Sequence, residues 1–90
     1  MQAKSLTFKR CPAARAVFGI GNATFYDWIS KGLMTPGVPL GARTVGWPAH
    51  ELEAIAAARI AGKSDDEIRD LTKRLIAARA EAGKLAEVSA

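Results

Sequence analysis

A single cysteine, Cys11, among 90 residues rules out an intrachain disulfide and a cysteine-based metal cluster. No apolar run approaches the ~18–20 residues that a membrane span needs. The opening MQAKSLTFKRCP lacks the apolar core of a secretory signal. These absences lead to the expectation of a cytoplasmic protein with no membrane partner. Catalytic signatures are missing as well: there is no Walker loop, no His/Asp/Glu metal spacing and no dinucleotide fingerprint. Cys11 and His50 are each the only residue of their kind and lie far apart in sequence. Cys11 reads as a small buried thiol or a helix-start residue, and His50 as a solvent-facing or capping one. Neither an enzyme activity nor a cofactor is expected.

Acidic residues are scarce where they are most informative. Residues 1–47 carry Lys4, Lys9, Arg10, Arg15, Lys31 and Arg43 against Asp27 alone, a balance of +5. Residues 48–90 carry seven basic and eight acidic side chains, a balance of −1. The positive field belongs to the N-terminal half, so a polyanion surface is expected there. With 49% hydrophobic and 24% charged residues the chain has the composition of one small folded domain.

Punctuation divides that domain. Residues 1–8 carry no period and read as an N-terminal arm, loose or forming a short strand. Pro12 suits the first turn of a helix. In the segment it opens, Ala14, Val17 and Phe18 lie on one side and Arg15 on the other. Gly19-Ile20-Gly21 is a turn with an apolar centre. A second helix, Asn22 to Lys31, aligns Phe25, Trp28 and Ile29 at i, i+3 and i+4, a buried stripe closed off by Gly32. Two short helices about a glycine turn fit either a helix-turn-helix or an ordinary helical hairpin. Proline and glycine then exclude helix over 33–48. Val38 with Leu40, and Val45 with Trp47, alternate about Gly41-Ala42-Arg43, which predicts a β-hairpin tipped by Arg43. Pro39 lacks an N–H, so its strand must lie at an edge. The two-stranded hairpin must rest on the helices.

Pro48 opens a third helix, to about Ala61, with Leu52, Ile55 and Ala56 inward and Glu51 and Glu53 outward. Ser64-Asp65-Asp66-Glu67 is a capping box that starts a fourth helix, expected to stop near Gly83. Asp70 and Arg74 form an i, i+4 pair on its wet side. Its apolar positions Ile68, Leu71, Leu75, Ala78, Ala82 and Leu85 follow a 3-4 spacing. That stripe fits either docking on the chain's own domain or a weak self-association surface centred on Ile68, Leu71 and Leu75. The fold class expected is mainly α with a small β-hairpin wing: a winged helix-turn-helix over 9–62, then an amphipathic helix and short tail over 63–90.

Residues 9–61 resemble the AlpA-type family of phage and mobile-element regulators and excisionases, whose winged helix-turn-helix is similar to the DNA-binding head of MerR-type regulators. The resemblance rests on Arg10, Pro12, Gly19-Ile20, Thr24-Phe25-Tyr26, Ile29 and Gly32. It continues through Pro36, Val38, the wing run Leu40-Gly41-x-Arg43-x-Val45-Gly46-Trp47, Glu53-Ala54 and Arg59. The chain departs from the family pattern at Gly21, Asn22, Asp27 and Pro39, where Ser or basic residues are usual. Its second helix is therefore poor in positive charge.

A helix fits the major groove while an adjacent wing reaches backbone or minor groove. On that basis the candidate DNA-binding residues are Arg43 and Thr44 at the wing, and Thr24, Tyr26, Lys31 and Asn22 on or beside the second helix. Lys9 and Arg10 join them at the start of the first. Asn22 would pair with an adenine edge, the hydroxyls and cations with phosphate. The alternative for each is an ordinary solvated side chain. The implied partners are double-stranded DNA, further copies of the chain on DNA, and a site-specific integrase. The resemblance implies an excisionase, or recombination directionality factor, in a bacterial, nucleoid-associated setting. A promoter-binding regulator and a protein-interaction module using the last helix are the alternatives.

Overall fold

The computed structural model describes residues 7–89. Residues 1–6 of the expected arm lie outside the described residues. The elements run β1 (Phe8–Lys9), α1 (Cys11–Ala16), α2 (Asn22–Ser30), β2 (Val38–Pro39), β3 (Val45–Pro48), α3 (Ala49–Ile60) and α4 (Asp65–Ser89). The chain is mainly helical with a small antiparallel sheet, in the order of a winged helix-turn-helix followed by an additional helix.

Glycines at positive φ place the boundaries. Gly19, Gly32 and Gly62 have φ of 65°, 76° and 75°, backbone that a Cβ disfavours, and they end the segments leading out of α1, α2 and α3. The sheet order is β1-β3-β2, so Pro39 sits on an edge strand as its missing N–H requires. Val38 pairs with Gly46 and Pro39 with Val45, and the Leu40 N–H donates to the Thr44 carbonyl at 2.7 Å to close the tip. The third strand, β1, was open from the sequence; Phe8 pairs with Pro48 and Lys9 with Trp47. Gly46 lets the layers meet at the central strand, for a Cβ there would lie 2.7 Å from Leu40 Cδ1 and 3.1 Å from Phe8 Cβ.

Every helix contributes to one core: Ala14, Phe25, Leu52, Ile55 and Ile68, joined by Leu33, Met34 and Trp47. Trp47 is its largest member, packed edge-on against Phe25 at 5.0 Å between ring centroids. Its indole N–H donates to the Thr35 carbonyl at 3.0 Å.

Three expectations are corrected. Val17, expected inward, is exposed because α1 ends at Ala16 and the chain turns there. Glu51, expected outward, is fully buried. It receives Arg79 from α4, whose Nη2 and Nε donate to its two oxygens at 2.7 and 2.9 Å. Gly83 does not stop α4, which continues to Ser89. An interior glycine costs a helix only ~1 kcal/mol, too little to end it without a competing cap. Of the two readings of the α4 stripe, docking on the chain's own domain is the one seen within the chain. Ile68 is buried in the chain's own core, and Leu71 and Leu75 pack against it half-buried. The capping box forms as expected: the Ser64 N–H donates to Glu67 at 2.9 Å and the Glu67 N–H to the Ser64 hydroxyl at 3.1 Å.

Candidate nucleic-acid interface

Helix α2 buries only Phe25 fully, with Trp28 and Ile29 half-buried beside it. Residues 22–24, 26, 27 and 30 are exposed, so most of its circumference faces solvent. The position of α2 is fixed at three points. Phe25 anchors its inner face against Trp47 of the hairpin. Trp28 meets Phe18 edge-on at 5.4 Å on the α1 side, and the Arg59 guanidinium lies 4.1 Å above the Trp28 ring. At the C-terminal end, Arg69 of α4 donates from Nε to the Lys31 carbonyl at 2.8 Å, satisfying a terminal acceptor of the helix-end region.

The candidate residues fall into three groups. Arg43 is exposed at the hairpin tip with Thr44 half-buried beside it. Lys9 on the outer strand β1 and Arg10 at the N-cap of α1 are exposed as well. Among the described residues no ion pair or side-chain hydrogen bond engages Lys9, Arg10 or Arg43, which leaves three cations uncompensated. Lys31, by contrast, pairs with Asp27 at 2.9 Å across one turn, which reduces its availability to an anion.

Thr24 is exposed on α2. Tyr26 is half-exposed, its ring edge-on to Phe25 and Trp47. Partial burial, reinforced by the adjacent Cys11 thiol, raises its hydroxyl above the ordinary 10.0, so it stays a neutral donor through the physiological range. Asn22, the first residue of α2, accepts a hydrogen bond at Oδ1 from the Cys11 thiol at 3.3 Å. Cys11 is thus a half-buried helix-start residue linking α1 to the exposed face of α2. Sequence reading missed this link because the partners are separated by a turn. It missed Arg69 and Arg79 for the same reason: both reach the head from α4 across 38 and 43 residues.

No helix among the described residues is long and apolar enough to cross a membrane. No family model matches the sequence, and no solved structure matches it. Over 56 residues the chain is 39% identical to "Uncharacterized protein ORF88" of Enterobacteria phage P4. That similarity takes in 62% of this chain and 64% of the phage protein, just under two thirds of its length.

Proposed function

We propose that the protein is an AlpA-type binder of double-stranded DNA that serves a phage or integrative element as an excisionase. In this role it would occupy adjacent sites and shape the DNA for an integrase. The observation that carries the reading is the juxtaposition, through Phe25 and Trp47, of an α2 exposed over most of its circumference with a hairpin whose tip carries an unpaired arginine. A helix of that kind enters a major groove, and a basic hairpin beside it reaches the flanking backbone. Similarity to a phage protein supports a mobile-element setting. The docking of Ile68, Leu71 and Leu75 on their own head favours copies that meet along DNA over a preformed dimer on a palindrome.

The test is a footprint of the purified protein on DNA flanking its own gene. Protection extending over several adjacent sites with rising concentration is the expected result. Protection of one short palindrome would replace the excisionase reading with a promoter-binding regulator. Absence of any duplex binding would move the function to protein interaction through α4.

A further inference from the structure

The Cys11–Asn22 contact bears on which base α2 reads, an inference that rests on the DNA-binding reading above. Asn22 occupies the position from which the N-terminal end of a reading helix touches base edges. An asparagine reads adenine by presenting both ends of its amide at once: Oδ1 accepts from N6 and Nδ2 donates to N7. Here Oδ1 is turned back towards α1 and held by the Cys11 thiol. The end of the amide left without a hydrogen bond is Nδ2, a pure donor with two hydrogens. Guanine presents two adjacent acceptors in the major groove, N7 and O6, and asks for no acceptor in return.

We propose that Cys11 is a positioning residue that turns Asn22 into a guanine reader. Tyr26, one turn along the same face, adjoins the same thiol, so the orientation of this face is set from the start of α1. The chain thereby gains a purine contact despite having no arginine at the start of α2.

Selection of duplexes from a randomised pool tests this, using the full chain and the variants Cys11→Ala, Cys11→Ser and Asn22→Ala. The parent should enrich guanine at one position, by about tenfold over adenine, as for a single well-formed base contact. Asn22→Ala should flatten that position alone. Cys11→Ala frees Oδ1 and should shift the position towards adenine, whereas Cys11→Ser retains a donor and should keep guanine. Circular dichroism of each variant checks that the fold is kept. If Cys11→Ala selects the same bases as the parent everywhere, the positioning role is wrong while the DNA-binding reading stands. If the parent enriches no duplex at all, the DNA-binding reading fails and this inference with it.

Discussion

Arg79 and Glu51 form a two-bond ion pair that fastens α4 to the winged head. Both Glu51 oxygens are engaged, and Arg79 Nη2 also donates to the Pro36 carbonyl at 2.8 Å. One side chain thus ties α4, α3 and the loop before the wing together. Glu51 is fully buried, and Arg79 is the cation that meets both of its oxygens. Arg79→Ala should destabilise the fold by about 3–5 kcal/mol, because it strands a buried carboxylate. Chemical denaturation measures the loss. Replacing both residues with apolar ones, Glu51→Leu with Arg79→Met, should cost less than Arg79→Ala alone; a larger cost would show that the pair stabilises beyond cancelling its own desolvation.

Truncation after Gly62 should unfold the head. It deletes Ile68 from the core, Leu71 and Leu75 from its border, and Arg79 from Glu51. Loss of the cooperative thermal transition in the truncated chain is the expected outcome. A truncated protein that melts cooperatively would show that α4 is an accessory.

Trp28→Ala should reduce stability by about 3 kcal/mol, the low end for a core tryptophan because the ring is only half-buried. The substitution removes the Phe18 edge contact and leaves the Arg59 guanidinium without its aromatic platform. A melting temperature equal to the parent's would place the ring outside the packed interior.

Arg43→Ala should leave stability within about 0.5 kcal/mol, as for a surface side chain away from the core. Its effect belongs to binding. With Lys9, Arg10 and Arg43 as the uncompensated cations of the proposed DNA-binding face, log K should fall with log salt at a slope of about −3, and Arg43→Ala should reduce the steepness by about 0.9. Gel-shift titrations across a salt series check both values; an unchanged slope in the variant would remove Arg43 from the interface.

The capping box should leave an acid signature. Hydrogen bonds from Ser64, backbone first and then side chain, with Lys63 nearby, lower the Glu67 pKa below the usual 4.5. The folded state therefore binds fewer protons than the unfolded one just below that value, so stability falls as pH falls. The stabilising contribution is complete above 4.5 and disappears once pH drops through the lowered folded value. Melts of the parent and Glu67→Gln should differ at neutral pH and converge on acidification. A difference that stays constant with pH would detach the effect from the carboxylate.

What the sequence made legible was local. Ser64 and Glu67, three residues apart, announce their own hydrogen bonds, and Val38, Pro39, Val45 and Trp47 announce a hairpin. Helical periodicity identified Phe25 and Ile55 as core because each is buried by the stripe to which it belongs. The same periodicity misplaced Glu51, whose burial depends on Arg79 reaching it from another helix. It left Ile68 ambiguous, since an apolar stripe looks alike whether it docks at home or on a neighbour. Arg43, Thr24, Tyr26 and Asn22 were expected at the surface from type and position and are exposed there, but the Cys11–Asn22 contact requires α1 and α2 to be folded against each other.

Trp47 has a mechanical consequence. It lies on the central strand, reaches Phe25 of α2 with its ring and holds the Thr35 carbonyl with its indole nitrogen. A load applied at the Arg43 tip would pass along β3 to that indole, which touches the α2 rings. Hairpin and α2 are therefore coupled through one side chain, and a displacement of the hairpin would be passed to Phe25 of α2.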